Sequence, residues 1–582
     1  MKRPIRRRTV PVELEQALLG DGELSPLLAR VFANRGVRER RELHLGLDAL
    51  LPSGALSGLD QAVALLAEQV QREGLIVVVG DFDADGATSC ALTVLALRAM
   101  GHRRVEYLVP NRFKAGYGLS PPIAEQAHAM AADLLLTVDN GISSVAGVAR
   151  ARELGMPVVV TDHHLPPEQL PAANAIVNPN RAGDGFASKH LAGVGVIFYV
   201  LAALRQALRA VGWFGPQRPQ PSMADWLDLV ALGTVADVVP LDRNNRVLVA
   251  QGLRRIRAGR ARPGILALAR VAGREPARLT AADLGFAVGP RLNAAGRLED
   301  IGIGIECLLA DDAGRAERLA AELDALNRQR RDIEQNMESE ALAILEPLER
   351  QQAAQRTPPA ICLVDDRWHQ GVIGILASRL RERFHRPVVV FAAAGENLKG
   401  SARSIPGLHI RDLLERVSAS HPGLIPSFGG HAAAAGLSLD PADFERFRQA
   451  LIQAAEDALE PSMLNRDLLT DGGLEESLLT LDTAQALRNA GPWGKAFPEP
   501  LFDDHFEIVQ RRVVGGRHLR LDVRLHGADD HTRPVEAIAF RALDRGWDQL
   551  GRTVHLVYRP DVNHWQGRER LQLIVEHMQA SD

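Results

Sequence analysis

Three aspartates alternate directly after an apolar stretch near residue 80, and their type and spacing suit metal binding. Residues 75–79 are Leu-Ile-Val-Val-Val, and after Gly80 come Asp81, Asp83 and Asp85. Carboxylates this close together repel one another strongly in a low-dielectric cleft unless a cation lies between them. Because divalent ions are the usual partners of clustered carboxylates, this stretch predicts a metal site.

The order Asp-x-Asp-x-Asp-Gly also opens a calcium-binding loop of the EF-hand type. Such a loop has a helix before it and a glutamate at its twelfth position. Here an apolar, strand-like stretch comes first, and Leu92 occupies the twelfth position. A solvated acidic turn is the other alternative for this stretch taken alone, so the residues downstream must decide.

Polar side chains follow three more apolar stretches, each of which we interpret as a buried strand. The carboxyl ends of parallel strands meet at the rim where open α/β sheets bind their ligands. Taken singly, each polar group also suits a turn or a helix cap. Together they predict a two-metal hydrolytic centre, in which carboxylate and imidazole ligands suit Mn²⁺, Mg²⁺ or a related hard ion better than structural zinc. The groups are Asp139-Asn140-Gly141 after residues 134–138, Asp162-His163-His164 after residues 158–161, and Asp237 after residues 227–235.

The sequence around these groups indicates that the chain folds into several domains, as expected for 582 residues. Residues 59–312 alternate between helix-like and strand-like stretches, which predicts a doubly wound α/β domain with a parallel sheet. Thr88 or Ser89 is expected to cap the helix that follows the aspartates. Residues 313–350 have apolar side chains at helical spacing and predict one long connecting helix. A dimeric coiled coil is the alternative there, although Arg330 interrupts its seam.

The remaining segments predict a second α/β domain at residues 351–463 and a small β-barrel at residues 464–582. Strict alternation from Leu519 to Leu525 indicates a strand with one buried face, and an OB-fold is the sensible candidate. Trp493 and Phe497 are expected to anchor the barrel to the preceding domain. The barrel arginines, with Tyr558 and Trp565, either bind single strands or are ordinary surface and core residues. These arginines are Arg511, Arg512, Arg517, Arg520 and Arg524.

Composition limits the possible partners and compartments. The net charge of −4 gives no global basic signature, so binding of nucleic acid would need local basic patches. Cys90, Cys307 and Cys362 are far apart in the sequence, which suits a reducing cytoplasm. The longest uncharged stretch, near residues 191–204, is too short to span a membrane. We expect the basic residues 1–10, within an N-terminal arm and lead-in segment at 1–58, to form a disordered arm, with phosphate attraction as the alternative.

Four motifs in order resemble those of the DHH phosphoesterase family. They are Asp81-Phe-Asp-Ala-Asp-Gly86, Val138-Asp-Asn-Gly-Ile142, Asp162-His-His164 and Gly233-Thr-Val-Ala-Asp-Val-Val-Pro240. The residues of these motifs most resemble those of the family's bacterial 5′→3′ exonucleases, which are specific for single strands. The resemblance covers nearly the whole chain, because residues 400–404 and 428–436 resemble the family's DHH-associated domain.

The resemblance implies a ligand set for two divalent ions, Mn²⁺ or Mg²⁺. Asp85, Asp139, His163 and Asp237 would hold one ion. Asp83, Asp139 and Asp81 would hold the other, so that Asp139 bridges the two. Asp81 is inferred to replace a histidine that smaller relatives have where Val79 stands here. His164 would face the phosphate and assist proton transfer or charge stabilisation, and Asp162 would orient an imidazole.

Further residues are implied to contact phosphates. Arg291 and Arg297 lie in Gly289-Pro-Arg-Leu-Asn-Ala-Ala-Gly-Arg297 and would reach the scissile phosphate, and Arg112 would contact another; a surface loop arginine is the alternative for each. In the DHH-associated domain, Ser401 and Arg403 would hold a terminal 5′-phosphate or the backbone, and His431 would lie near the scissile group.

The function implied is metal-dependent hydrolysis of single-stranded DNA from a free 5′ end, with release of 5′-mononucleotides in recombination and repair. Two alternatives stay open: a phosphodiesterase of short oligonucleotides or cyclic dinucleotides, and a catalytically silent DNA-binding scaffold. A cytoplasmic monomer with no membrane partner is expected. A single-strand-binding protein and a RecQ-type helicase are the protein partners we consider.

Overall fold

The computed structural model describes residues 3–20, 24–110, 118–351, 358–529 and 531–581. The chain divides into two compact units. The first contains Met1–Gly296, Asp300–Asp324 and Asp467–Asp582, and the second contains Arg297–Glu299 and Ala325–Arg466. The predicted domain boundaries stay predictions, because this division groups the C-terminal region with the α/β domain.

The N-terminal segment is ordered, which corrects the expectation of a disordered basic arm. It contains β1 (Ile5–Arg7), α1 (Val12–Leu19) and α2 (Pro26–Ala33). Strand β1 pairs in parallel with β12 (Leu468–Thr470), and Arg7 forms an ion pair with Asp503 at 3.1 Å. Clustered arginines indicated disorder when considered alone, but their acidic partners come from distant parts of the chain.

A parallel five-stranded sheet organises the α/β domain, as the sequence predicts. Among the described strands its order is β3-β2-β4-β5-β6, and β2, β4 and β5 are buried throughout. These strands are buried because helices cover both faces of such a sheet. The elements are α3 (Leu59–Arg72), β2 (Ile76–Val79), α4 (Ala84–Ala99), β3 (Val105–Leu108), α5 (Pro121–Ala129), β4 (Leu134–Val138), α6 (Val145–Glu153), β5 (Val158–Thr161) and β6 (Ala175–Val177).

Helices complete the domain and continue into the second unit. One of them, α7, is apolar and long enough to cross a membrane by length and composition alone, but 61% of that stretch is buried inside the protein, as in a core helix. The predicted long connecting helix is present as α14. The helices are α7 (Gly193–Ala210), α8 (Leu227–Ala236), α9 (Arg243–Arg257), α10 (Pro263–Val271), α11 (Ala281–Asp283), a π-helix (Leu284–Val288), α12 (Gly289–Leu298), α13 (Gly302–Leu309) and α14 (Ala313–Gln351).

The second unit is the predicted second α/β domain, a mixed sheet in the order β10-β11-β9-β8-β7. The apolar face of α14 contributes Met337, Ala341 and Leu345 to its core. Its elements are β7 (Ile361–Val364), α15 (Ile373–Phe384), β8 (Val388–Ala394), β9 (Asn397–Arg403), α16 (Ile410–Ser420), β10 (Ser427–Gly430), β11 (Ala434–Leu439) and α17 (Phe444–Ala458).

A closed five-stranded barrel in the order β13-β14-β15-β17-β16 confirms the predicted C-terminal fold. Trp493 and Phe497 stack on each other and on Phe32 of α2, and Arg246 of α9 lies 4.2 Å from the Phe497 ring centre. The expectation that they anchor the barrel to the preceding domain was wrong; they contact the N-terminal segment and the first α/β domain. The elements are α18 (Leu481–Asn489), β13 (Phe502–Val514), β14 (His518–Leu525), β15 (Val535–Ala539), β16 (Thr553–Trp565) and β17 (Arg568–Ala580).

Candidate metal centre

The first motif folds into a tight turn from β2 into α4, and its carboxylates hold that turn. Asp83 caps α4 by accepting hydrogen bonds from the Asp85 and Gly86 backbone N–H groups, both at 3.0 Å. This corrects the expectation that Thr88 or Ser89 caps the helix, since aspartate is an equally good N-cap. A methyl group at Gly86 would lie 2.4 Å from the Asp81 carbonyl oxygen, so only glycine fits there.

Asp85 is fixed by the start of α7. Its carboxylate accepts hydrogen bonds from the backbone N–H groups of Gly193 at 2.6 Å and Val194 at 2.9 Å. The positive end of the helix dipole lies at the same place and favours a carboxylate. A methyl group at Gly193 would lie 2.5 Å from Asp139 Cβ and Oδ1, so this glycine lets α7 approach two predicted ligands together.

Asp139 projects from the end of β4 in the left-handed region, with φ of 61°. Its neighbour Asn140 holds this turn by donating from its side chain to the carbonyl oxygens of Val79 and Val138, both at 2.9 Å. The turn therefore links the ends of β2 and β4, the two strands that carry the first two motifs.

The histidine pair follows β5, and the two imidazoles differ in their surroundings. His163 Nε2 lies 3.2 Å from Asp139 Oδ1, 3.5 Å from Asp237 Oδ2 and 4.0 Å from Asp85 Oδ2. His164 Nδ1 lies 2.7 Å from Asp162 Oδ1, and about half of its side chain is exposed. Asp162 thus orients His164, as predicted for an aspartate behind an imidazole.

Asp237 reaches the cluster from a helix, which corrects the prediction that a strand precedes it. Residues 227–236 form α8, and Asp237 lies at its C-terminal end. A short apolar run cannot by itself distinguish a buried strand from a buried helix. The close approach depends on Gly233, where a methyl group would lie 2.2 Å from Thr88 Oγ1.

Together these side chains form three groups of possible metal ligands, within each of which the ligand atoms lie within 4.8 Å of one another. One group matches the predicted second ion site, and another contains three of the four ligands predicted for the first. Asp139 and His163 each belong to two groups, so the groups are contiguous. They are Asp81, Asp83 and Asp139; Asp85, His163 and Asp237; and Asp139, His163 and His164.

The electrostatics of the cluster fit a divalent ion. Burial raises the pKa of Asp85 and Asp237 to about 7, with neighbouring carboxylates adding to the shift, and burial with the Asp85 charge raises the pKa of Asp139 well above its ordinary value. Burial lowers the pKa of His163, so its imidazole is neutral, the form that binds metals. Its Nε2 forms no hydrogen bond with the described residues despite the carboxylates around it. The donor set suits Mn²⁺ or Mg²⁺.

His164 carries the opposite shift. Burial alone would lower the pKa of His164, but the hydrogen bond and the charge of Asp162 outweigh it and raise the pKa to about 9. The same hydrogen bond opposes burial and holds the pKa of Asp162 below its ordinary value. His164 is therefore cationic at neutral pH, a form that does not bind a metal, although it belongs to one of the three ligand groups.

Arg291 is held by protein groups, and its predicted role toward a phosphate stays a prediction. Its guanidinium is buried and lies 2.7 Å from an oxygen of Asp324 in α14. It also donates to the carbonyl oxygen of Ala287 at 2.5 Å. A motif shows that an arginine is present, but it does not show which carboxylate the fold places opposite it.

The remaining predicted phosphate contacts belong to the second unit or lie outside the described residues. Arg112 belongs to residues 111–117, which the structure does not describe. Arg297 donates to the carbonyl oxygen of Gly371 at 3.2 Å within the second unit. In that same unit, Arg403 donates to Ser401 Oγ at 3.0 Å, and His431 is exposed after β10. Their roles toward a substrate stay predictions.

Two contributors to the site were missed by sequence reasoning. Asn293 of α12 accepts a hydrogen bond from the Ala84 backbone N–H at 2.8 Å and so fixes the first motif from outside it. Gly193 and Val194 supply the backbone donors to Asp85. The only signal for Gly193 was the pair of glycines, Gly193 and Gly195, in an otherwise apolar stretch at the start of this helix.

Comparison with known proteins agrees with this arrangement. Three family models match: "DHH family, N-terminal domain" at residues 75–234, "DHHA1 domain" at residues 357–457 and "RecJ OB domain" at residues 470–577. The single-stranded-DNA-specific exonuclease RecJ of Escherichia coli (strain K12) is 53% identical over 577 residues, which are 99% of this chain and 98% of that protein.

Two solved structures share the fold. The crystal structure of RecJ in complex with Mn²⁺ from Thermus thermophilus is 32% identical, with a TM-score of 0.80, and the match covers 100% of this chain and 80% of that one. The Mg²⁺ complex from the same organism is 30% identical, with a TM-score of 0.75, over 100% and 79% of the two chains.

The parallel sheet, the carboxylate and histidine cluster at its rim and the matching family model define a phosphoesterase of the DHH family. Within that class the agreement extends to the associated domain and the barrel. The chain belongs to the RecJ family.

Proposed function

We propose that this chain is a metal-dependent exonuclease that hydrolyses single-stranded DNA from a free 5′ end and releases 5′-mononucleotides in recombination and repair. The observation that carries the proposal is the contiguous set of ligand groups that share Asp139 and His163. Membership of the RecJ family supports the substrate, since its relatives are named for single-stranded DNA.

The ligand groups would hold two ions, Mn²⁺ or Mg²⁺, with Asp139 between them. When bound, such ions lower the pKa of an attacking water and neutralise the charge of the phosphate oxygens. Asp85, held by two backbone donors, and Asp83, held as a helix cap, are preorganised for this purpose. Preorganised groups need no rearrangement during the reaction, and most electrostatic catalysis comes from such preorganisation.

His164 is proposed to act on the phosphate rather than on an ion. Its imidazole is cationic at neutral pH because the Nδ1 hydrogen bond to Asp162 and the charge of that carboxylate hold the proton. A cation fixed in this way stabilises developing negative charge and supplies a proton to a leaving oxygen. The half-exposed side chain leaves this edge of the cluster open to a substrate.

The second unit supplies a candidate site for the terminal phosphate. Arg403 at the end of β9 donates to Ser401 Oγ at 3.0 Å and to Ser378 Oγ at 3.2 Å. Gly374 in the first turn of α15 allows this approach, because a methyl group there would lie 2.8 Å from Arg403 Nη2. An arginine, hydroxyl groups and a helix N-terminus favour a phosphate. Binding of a 5′-phosphate here would explain the polarity.

We also propose a cytoplasmic location, since all three cysteines are free and buried, as in a reducing compartment. We keep a monomer as the proposed oligomeric state. A single-strand-binding protein and a RecQ-type helicase are proposed partners that would supply the free single strand. The barrel arginines are proposed to bind the strand. Two arginines of this group already have protein partners: Arg520 pairs with Glu536, and Arg511 donates to the carbonyl oxygens of Asp548, Leu550 and Gly551.

The test uses an oligodeoxynucleotide with different labels at its two ends, incubated with Mn²⁺ or with a chelator. A blunt duplex and a dinucleotide serve as alternative substrates. We expect early release of the 5′ label as a mononucleotide, only from the single strand and only with metal. Cleavage confined to the dinucleotide would instead favour a small phosphodiesterase, and binding without cleavage would favour a scaffold.

Asp139→Asn is the matched variant for this test. It keeps the side-chain shape but removes the shared carboxylate, so activity should fall at least 100-fold, roughly the upper limit for removing a group that only supports a ligand. Its melting temperature in chelator should be at least that of the wild type, because one of several mutually repelling carboxylates is gone. Retained activity would refute the assignment of Asp139 as the shared ligand.

A further inference from the structure

Phe286 is placed where the hydrophobic effect disfavours it. It is 83% exposed, the highest exposure of any large apolar side chain that the structure describes. It also lies in the π-helix Leu284–Val288, and short π-helical turns occur frequently at functional sites. An aromatic side chain held in water on an unusual backbone indicates a contact that forms only when another molecule binds.

The π-helix lies directly beside the metal centre. A methyl group at Gly285 would lie 3.1 Å from Val235 Cγ1, and one at Gly289 would lie 3.0 Å from Ala236 Cβ. The π-helix and the start of α12 therefore pack against the end of α8, whose next residue is the predicted ligand Asp237. Phe286 thus projects from the turn that supports this end of the cluster.

Val238 is a second exposed apolar residue at the same place, and its backbone is strained. It follows Asp237, is 58% exposed and has φ of 61°. A β-branched residue in the left-handed region is an outlier, and such strain is found most often at functional sites. Phe286 and Val238 both line one cleft, and Val238 directly follows the predicted ligand Asp237 in the chain.

The cleft is large and basic. Its volume is about 1450 Å³, and it is lined by the first α/β domain, the N-terminal segment and the barrel region. Single small ligands occupy pockets of roughly 300–1,000 Å³, so this volume suits a polymer. Arg254, Arg257 and Arg488 line it without an ion pair to any carboxylate that the structure describes. Burial, followed by the charge of Arg488, lowers the pKa of Arg257, so an anionic occupant would relieve this repulsion.

We propose that Phe286, together with Val238, forms a stacking platform for a nucleobase on the 3′ side of the scissile bond, while the cleft arginines hold the adjoining phosphates. This inference rests on the proposed exonuclease function. At each turnover only one nucleotide lies 5′ of the bond to be cut, so a cleft of polymer size beside the metal centre holds the 3′ part. Aromatic rings accept any base, which suits an enzyme that must move along every sequence.

Phe286 is therefore a substrate-positioning residue, and its loss should weaken binding more than the chemical step. Phe286→Ala should raise KM and the dissociation constant of a single strand about 10-fold, within the range typical of one base stacked on an aromatic ring. The turnover number at saturating substrate should change by less than about 3-fold. Phe286→Trp should restore binding, because it retains a flat aromatic face.

The deciding experiment uses a series of single-stranded decamers, each with one abasic position. Binding to the full chain is measured by fluorescence anisotropy in chelator, and cleavage is measured in Mn²⁺. For the wild type, one abasic position within the first few nucleotides after the scissile bond should weaken binding about 10-fold. In Phe286→Ala, the abasic position should not weaken binding further, because the base and the ring share one contact. The comparison forms a double-mutant cycle, which measures that shared contact.

The matched control is Val211→Ala, which removes another exposed apolar side chain. Val211 is 65% exposed and directly follows α7, whose 18 residues extend about 27 Å from the end beside Asp85. This variant should behave as the wild type on every decamer. Melting temperatures of all variants are measured in parallel, and no decrease is expected for Phe286→Ala because its side chain is exposed.

The outcomes separate this inference from the proposed function. The stacking platform is refuted if Phe286→Ala binds the intact decamer as tightly as the wild type does. It is also refuted if every abasic position weakens binding to Phe286→Ala by the same factor by which it weakens binding to the wild type. A wild type that cleaves no single strand refutes the exonuclease proposal instead, while the anisotropy series in chelator still tests the platform.

Discussion

Arg291 and Asp324 form a buried ion pair between α12 and the start of α14, and this pair predicts a stability effect rather than a catalytic one. Arg291→Met removes the buried guanidinium that faces the Asp324 carboxylate. Removing one partner of such a pair costs about 3 kcal/mol or more. We expect the variant to unfold at lower urea concentration, which equilibrium denaturation measures directly.

The double variant Arg291→Met with Asp324→Leu tests whether Arg291 also contacts the substrate. Replacing both partners by apolar residues of similar volume also removes the Asp324 carboxylate and should restore most of the stability. Activity should return with the fold. A double variant that is stable but inactive on single-stranded DNA would show that Arg291 contacts the phosphate after all.

At the scale of single residues, the sequence predicts which groups assemble but not every role. Asp81, Asp83, Asp85, Asp139 and His163 follow buried strands, and strand ends of one parallel sheet must meet. Their proximity is therefore encoded locally. Arg291 differs, because its partner lies on another helix and local patterns carry no information about that packing.

At the scale of elements, the N-terminal turn of α7 positions two ligands, and Gly193 makes this possible. In Gly193→Ala the new methyl group would lie 2.5 Å from Asp139 Cβ and Oδ1, which forces either the helix or the carboxylate to move. We expect loss of the Mn²⁺-dependent rise in melting temperature and a fall in activity of about 100-fold, comparable to the loss of a ligand's support.

Gly54→Ala is the control for this substitution. A methyl group at Gly54 meets no atom within 4 Å, and its backbone does not require glycine. Thermal melts with and without Mn²⁺ should not distinguish this variant from the wild type. If Gly193→Ala also kept the full metal-dependent shift, the close packing of α7 on the ligands would not matter for binding.

The start of the chain shows why a strand can be missed when the residues that contact it lie far away in the sequence. Strand β1 was expected to be part of a disordered arm, yet Asp503 accepts hydrogen bonds from Arg7 and Thr470 and contacts His555. Although burial opposes the effect, these hydrogen bonds hold the pKa of Asp503 below its ordinary value. The arginine cluster is local, but its acidic partner lies almost 500 residues away along the chain.

This depressed pKa predicts a pH dependence. A group whose pKa is lower in the folded state stabilises the fold above its unfolded pKa, here 3.8, and loses that contribution as the pH falls through the folded pKa. Asp503→Asn should cost about 1–2 kcal/mol at pH 7, because Arg7 is half exposed and screening weakens the pair. The difference from the wild type should shrink below about pH 4.

Urea denaturation of both proteins from pH 7 to pH 3 measures this difference. Asp482→Asn is the control, since Asp482 is an exposed aspartate in the first turn of α18. It should change stability by only a few tenths of a kcal/mol. A difference for Asp503→Asn that stays constant down to pH 3 would show that the carboxylate charge does not stabilise the docked strand.

At the scale of the whole molecule, the barrel belongs with the first α/β domain although it comes last in the chain. Trp493, Phe497 and Phe32 stack together, and the Leu241 N–H donates to the Lys495 carbonyl oxygen at 2.8 Å. Alternating residues in the sequence predict a barrel, because that pattern is local. They do not predict this docking, which depends on aromatic residues separated by hundreds of positions.

Two compact units and one metal cluster together predict how the protein unfolds. Every ligand in the three metal groups lies in the first unit. A ligand that binds only the folded state stabilises it by about 2.7 kcal/mol at a concentration 100-fold above its dissociation constant. Calorimetry should therefore show two transitions, and Mn²⁺ should raise the midpoint of only one of them.

Hydrogen exchange with mass spectrometry assigns these transitions. With Mn²⁺, peptides from β2, β4 and the barrel strands β13 and β16 should gain protection together, because the barrel docks on the metal-binding domain. Peptides from β8 and β9 should not change, because the second unit contributes none of the three ligand groups. Barrel peptides that exchange independently of β2 and β4 would show that the barrel is a separate cooperative unit, despite its aromatic contacts.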